Sequence, residues 1–255
     1  MFTSGAGTHH ATPPAAQTAR RAIVSAGAAA ECDHRVRVAG QKRERMRERL
    51  IDAAMAAYLG CEAGRHPVVD DVIRLAGVSR GSFYKHFDAV DEVFAVIGRR
   101  MAQEMLASYG RLAAPLPDGA ARVAIGPLMA LARAAMEPRH GAFIARVDFV
   151  DYLASDEPRT HLVALSLHSG REGGALHFDS IDAAVDLLIG TSLEGARRIL
   201  RTRRLDTAYI RELTAMVLQG LGVAPAQAEV AVAQAWQRLE GESATLHWWQ
   251  PPPAV

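Results

Sequence analysis

The stretch 69–87 constrains this chain more than any other. Val69, Val72, Ile73 and Ala76 recur at three- and four-residue steps and predict a short helix over 68–76. Gly77 can take the left-handed conformation that ends such a helix, and Ser79 is a strong N-cap for a second one over 79–87. Val78 reads as a buried wedge between the two. With Phe83 it has the spacing of a hydrophobic staple. Phe83 and Phe87, four apart, point to one side, so Val72, Ala76, Val78, Phe83 and Phe87 form the expected core, with Gly77 and Ser79 shaping the turn. The opposite side presents Arg80, Ser82, Tyr84, Lys85 and His86, while Gly81 leaves room for close backbone approach. That face carries hydrogen-bond donors and no carboxylate, as a surface facing phosphates and base edges requires. Two short helices held by a tight turn make a helix-turn-helix, placed at 68–88.

The remainder predicts more helix. Periodic stretches cover 41–59, 90–112, 120–136, 140–154, 158–167, 180–203, 207–221 and 225–240, without strand-like alternation of useful length. Aromatic residues make up only 6%, which favours helices packed through Ala, Leu and Val over an aromatic-rich sheet. The expected fold is all-α, with an N-terminal three-helix head on a larger helical body. Four segments are expected: a disordered arm over 1–40, the helix-turn-helix domain with its connecting helix over 41–112, a regulatory body over 113–241, and an extended tail over 242–255. The formal net charge is +1, so nucleic-acid binding must come from a local charge arrangement, not a global field.

Two cysteines, Cys32 and Cys61, make no disulfide framework and fit a reducing cytoplasm, the expected location. Arg20-Arg21 followed by the small residues of 22–30 superficially resembles an export signal. That stretch has Ile23 as its only strong hydrophobe, and export is not expected. No apolar run approaches the roughly 20 residues that span a bilayer.

Gly77-Val78-Ser79, then Ser82-Phe83-Tyr84-Lys85-His86-Phe87, then the acidic helix start Asp91-Glu92-Val93-Phe94, resemble the signature of the TetR family of transcriptional regulators. The resemblance covers about 49–99. It implies base-edge contacts from Arg80 and Ser82, phosphate contacts from Tyr84, Lys85 and His86, and a body that dimerises and holds a small-molecule effector. The implied partners are a palindromic double-stranded operator and a second copy of the chain, with repression as the default. Two departures weaken the match: Val90 stands where the family often has a phosphate-contacting Lys, and Pro67-Val68 where it usually has a Thr pair. Basic residues before the first motif helix, Arg43 and Arg47 among them, are candidates to compensate on DNA phosphates, or form a solvated face.

In the body, Ile181, Val185, Leu188, Ser192, Gly195 and Ile199 form one stripe, and Ile210, Leu213, Val217 and Leu221 another. They are candidates for a four-helix dimer interface or for the body's own core. Met129, Met136, Phe143, Phe149 and Tyr152 are candidates to line an apolar ligand pocket, or plain core. Arg146, Asp148 and Asp151 could add polar specificity. No cofactor, metal site or catalytic residue is expected. His161, His168, His177 and Asp179 lack metal-ligand spacing, and 170–174 lacks the lysine and preceding strand of a phosphate loop. The alternatives are a helical interaction module that no longer binds DNA and, more remotely, a metal-dependent hydrolase.

Overall fold

In a computed structural model, the structure describes residues 14–61, 65–117, 119–146 and 160–250, without the side chains of 14–36, 146 and 160–162. Ten helices lie among the described residues: α1 (Pro14–Gly60), α2 (Val69–Ala76), α3 (Arg80–Tyr84), α4 (Val90–Ala113), α5 (Ala120–Met136), α6 (Pro138–Arg146), α7 (Thr160–Glu172), α8 (Ile181–Thr202), α9 (Thr207–Gly220) and α10 (Pro225–Gly241). No strand appears among them. The chain divides into two compact units, Met1–Leu50 and Ile51–Val255.

The first unit holds most of α1, which begins at Pro14 where the sequence reading placed an arm without structure up to residue 40. Ala-rich sequence explains the difference. Alanine has the highest intrinsic helix propensity, and Pro14 sits at the first helical position, where its missing N–H has no partner to lose. Such a helix needs no hydrophobic periodicity, the signal on which the reading depended. Residues 1–13 lie outside the described residues.

In the second unit α5 is the central helix, packed by α4, α6, α7, α8, α9 and α10. Its buried residues Val123, Ala124, Ile125, Leu128, Met129, Leu131 and Ala132 point in most directions around the axis, as a helix covered on all sides requires. α8 approaches α5 and α9 through Gly195. A Cβ there would lie 2.6 Å from Leu213 Cδ2 and 2.8 Å from Leu131 Cδ2, so a larger residue would push both leucine side chains aside.

The motif helices α2 and α3 and the start of α4 belong to this same unit, so 113–119 does not separate two compact bodies. Leu112 and Ala113 are buried there. Tyr58 from the end of α1 stacks near Phe94 of α4 at 5.1 Å and Phe143 of α6 at 5.3 Å, tying head helices to the body.

The described part of the expected extended tail, 242–250, is instead docked. Ser243–Thr245 form a 3-10 turn, and Leu246 and Trp248 are buried in the body core, with Trp249 6.0 Å from Trp236. Burial of two large apolar side chains contributes about 1.5–3 kcal/mol each, enough to hold a short segment without a long helix.

Candidate nucleic-acid interface and ligand cavity

The local devices expected at 69–87 are present with three changes. The first is that the second helix, expected over 79–87, spans only Arg80–Tyr84, with Lys85 and His86 in the turn after it. Gly77 adopts φ 60° and ψ 45°, and its N–H and that of Val78 donate to the carbonyls of Arg74 and Ile73, closing α2. Val72, Ala76, Phe83 and Phe87 are buried, whereas Val78 is only half-buried. Ser79 Oγ accepts the Ser82 N–H at 3.2 Å and lies 3.0 Å from Ser82 Oγ. Ser82, read as a base-contacting residue, is thus half-buried and engaged in the cap. The α2 terminus that lacks a Thr still gains half of a capping box, since Asp71 Oδ2 accepts the Val68 N–H at 3.2 Å. That backbone hydrogen bond, with Arg74 and Arg65 beside it, holds the Asp71 carboxyl below the usual range.

The outer face of α3 is open. Arg80, Tyr84 and Lys85 are exposed, His86 is half-buried, and a side chain at Gly81 would meet nothing within 4 Å. Tyr84 packs edge-on against Phe83 with centroids 5.5 Å apart, which fixes its ring while leaving it 49% exposed. A carboxylate does reach this face, contrary to the reading from α3 alone: Asp70 of α2 accepts from Arg80 Nη2 at 2.9 Å. Both side chains are more than half exposed, so the pair is worth about 0–1 kcal/mol. Val90, at the position of the missing lysine, is buried. Arg43 is exposed and Arg47 half-buried on α1, within the first unit.

The body contains a cavity of about 140 Å³ lined from α4 to α8, and none of the first-suspected residues that the structure describes, Met129, Met136 and Phe143, is on its wall. Met129 belongs to the core, Phe143 is turned toward Tyr58 and Phe94, and Met136 is half-buried at the core margin. Phe149, Tyr152, Asp148 and Asp151 lie outside the described residues, as does the Arg146 side chain. The wall is made instead by Gly126, Ala130 and Ala134 of α5, with His140, Ile144 and Ala196 facing them. Three small residues spaced four apart along α5, Gly126, Ala130 and Ala134, were the available signal.

Two residues of the suspected dimer stripe, Leu188 and Ser192, line this cavity. Gly195, Ile199 and Val217 are buried, and Ile181, Val185 and Leu213 pack against the same core. The stripe therefore serves the body's own interior. What α8 and α9 leave outward is Leu187 and Met216, 37% and 60% exposed.

Beside the cavity lies a buried charge network that the sequence reading missed. Arg133, 2% exposed, donates to Glu104 of α4 at 2.8 Å and to Glu137 at 2.9 Å, and its guanidinium lies over the Trp248 ring. Two carboxylates balance the charge of one guanidinium, whose Nη1 stays buried without a hydrogen-bond partner. His140 is buried next to it, and burial, Arg133 and His247 push its imidazole down to about 3. Among the described residues no group of three or more His, Cys, Asp or Glu could hold a metal ion, and no helix is long and apolar enough to cross a membrane.

No protein-family model matches the sequence. The HTH-type transcriptional repressor KstR2 of Rhodococcus jostii is 30% identical over 121 residues, 47% of this chain and 57% of that protein, so the match spans little more than half of the relative. Among solved structures, RolR in complex with resorcinol superposes with a TM-score of 0.56 at 21% identity, covering 76% of this chain and 96% of RolR. The fatty acid degradation regulator FadR from Bacillus halodurans gives a TM-score of 0.58 at 18% identity, covering 70% and 97%. The signature over 77–94 resembles that of the TetR family of transcriptional regulators, and the all-helical fold is shared with these solved structures.

Proposed function

We propose that the chain is a homodimeric, sequence-specific DNA-binding regulator, a repressor released from its operator by a small-molecule ligand. The observation that carries this reading is the outer face of α3. Arg80, Tyr84 and Lys85 stand exposed beside an unobstructed Gly81, on a helix fixed by the Gly77 turn and the Ser79 cap. Arg80 reads a base edge, while Tyr84, Lys85 and His86 set the register on phosphates. One short helix reads too few bases for specificity, so two copies read two half-sites about one DNA turn apart. Leu187 and Met216 supply an outward apolar surface on α8 and α9 for that pairing. The repressor name of the KstR2 relative supports repression, and the resorcinol complex of RolR supports a small organic effector. Met105 of α4 lines the cavity and Glu104 pairs with Arg133 beside it, which gives an occupant purchase on the helix that leads back to the motif.

The test is binding of the purified protein to DNA flanking its own gene, or to sites selected from random DNA, across a salt series. Tight binding with a steep salt slope is expected, and Arg80→Ala is expected to cost about 1–3 kcal/mol and relax the sequence preference. Equal, weak binding of all sequences, unaffected by Arg80→Ala, would sink the operator reading in favour of an interaction module.

A further inference from the structure

Two stretches of the chain carry dense positive charge, and they differ in how their surroundings answer it. At the end of α8, Arg197 and Arg201 pair with Glu194, and Arg198 lies over the Tyr209 ring. Arg203 and Arg204 follow at the C-terminal end, where the helix dipole favours cations. On α1, residues 37–49 hold six cations, Arg37, Lys42, Arg43, Arg45, Arg47 and Arg49, against two carboxylates, Glu44 and Glu48. That run is net +4 in a chain of net +1. Lys42, Arg43, Arg45 and Arg49 are exposed there and form no ion pair among the described residues.

Helical spacing sorts these cations. With about 3.6 residues per turn, Lys42, Arg45 and Arg49 fall within about 60° of arc and span about 10 Å of the axis. Leu50 and Ala54, about a third of a turn round the helix from them, are buried. Arg43 and Arg47, the pair named from the sequence, lie on the flank above those two, and Arg47 is half-buried and engaged. Arg45 and Arg49 are like charges four residues apart, an arrangement that weakens an isolated helix. Asp52, one turn past Arg49, is exposed and does not close on it.

A narrow row of unpaired cations suits a repeating polyanion. Duplex DNA carries one negative charge per about 1.7 Å of axis, so the length of this stripe meets more phosphates than it has cations. A membrane surface instead calls for a broad apolar face beside the charges. On this side of α1 the exposed large hydrophobic residue is Val38, while Leu50, Ala53, Ala54 and Ala57 are buried.

We propose that Lys42, Arg45 and Arg49 form a second DNA contact, made to duplex phosphates and indifferent to sequence. The inference rests on the reading of the chain as a DNA-binding regulator and adds a surface to the one on α3.

The chain has only two lysines, Lys42 in this stripe and Lys85 directly after α3, so one experiment reads both surfaces. The full-length protein is acetylated briefly, free and saturated with mixed-sequence duplex DNA at low salt, and each lysine is followed by peptide mass spectrometry. Both are expected to react several-fold more slowly on DNA. Protection of Lys85 without Lys42 overturns this proposal and leaves the operator reading in place. Protection of Lys42 without Lys85 supports it and sinks the α3 reading instead, while protection of neither sinks both. Protection of Lys42 by anionic phospholipid vesicles and not by DNA overturns it in favour of a membrane.

A salt series adds a second readout. Replacing Lys42, Arg45 and Arg49 together by Gln, which keeps helix propensity, is expected to take about three units per chain off the slope of log affinity against log salt. Preferred and unrelated DNA are expected to weaken alike, by about tenfold or more, so discrimination is unchanged where Arg80→Ala relaxes it. Arg139→Gln, Arg204→Gln and Arg211→Gln together remove the same charge from exposed body positions and are expected to leave the slope unchanged. An unchanged slope in the first variant, or an equal fall in both, overturns the proposal, the latter in favour of net charge alone.

Discussion

The polar contacts that shape the motif around α2 and α3 join residues three to ten apart, from Ser79 with Ser82 to Asp70 with Arg80. The cavity wall gathers residues from Met105 of α4 to Ala196 of α8, and its polar edge draws on Glu104, Arg133, Glu137 and His140. The first surface is an arrangement of side chains that project. The second is a space that projecting side chains leave open. A local, outward surface can tolerate exchange of its polar residues without loss of fold, and is tuned by which partner each one meets. An inward space depends on everything packed around it, so its chemistry and the stability of the body are coupled.

Phe83 sets the limit of that contrast, because the local motif still hangs on one anchor. It is fully buried on the inner side of α3, 6.0 Å from Phe87 by ring centroids. Phe83→Ala is expected to cost about 3–5 kcal/mol in denaturant unfolding and to abolish DNA binding with it. A loss below about 1 kcal/mol would mean that the motif is held by its turn and caps alone, making the separation between the two regions sharper than the packing indicates.

Legibility in the sequence follows the same division. The turn at Gly77, the Ser79 cap and the inward Phe83 and Phe87 are stated by neighbouring residues, and the structure places each as the spacing requires. The helices of the body were legible within a few residues at most ends because each is long and amphipathic. Asp70 beside Arg80 was not, since pairing depends on the angle between α2 and α3 and not on spacing within either. The cavity was hidden for a different reason. Sequence reading looks for large residues such as Met129 and Phe143, which fill space, while a cavity is bounded by small ones such as Gly126, Ala130 and Ala134. The stripe on α8 was visible, but which neighbour it faces is decided by α5 and α9 closing on Gly195. Trp248 reads as tail by its prolines and as core only once Arg133 and Trp236 are in place.

Acidity tests the coupling between cavity chemistry and body stability. His140 is held neutral in the folded chain down to about 3, by burial first and then by Arg133 and His247, with Glu137 and Glu104 facing the same network. In the unfolded chain it takes up a proton near pH 6.5, so over that interval the unfolded state binds more protons than the folded one. Its contribution to stability is thus fully present above pH 6.5 and is lost as pH falls toward 3, at about 1.4 kcal/mol per unit. Between pH 6.5 and 5 the unaltered protein is expected to lose about 2 kcal/mol more than His140→Gln, in which the other titrating groups are unchanged. Parallel stability curves for the two proteins would separate cavity chemistry from folding.

The smallest effect comes from the outward surface and bears most directly on how it is tuned. Asp70 and Arg80 are both more than half exposed and 2.9 Å apart. In the free protein, the pair costs side-chain entropy and gains little against water and salt, so Asp70→Asn is expected to change folding stability by about 0.5 kcal/mol or less. On DNA the balance shifts. A carboxylate beside a phosphate backbone is repelled, and Arg80 must leave it to reach a base edge. Removing that charge is expected to raise affinity for all sequences several-fold and to flatten discrimination, because Arg80 then reaches phosphates without surrendering a partner. A selected-site assay beside a salt series checks both outcomes. If Asp70→Asn instead weakens binding to the preferred site alone, the carboxylate orients the guanidinium toward its base. The motif would then share with the cavity a dependence on a residue outside the helix that makes the contact.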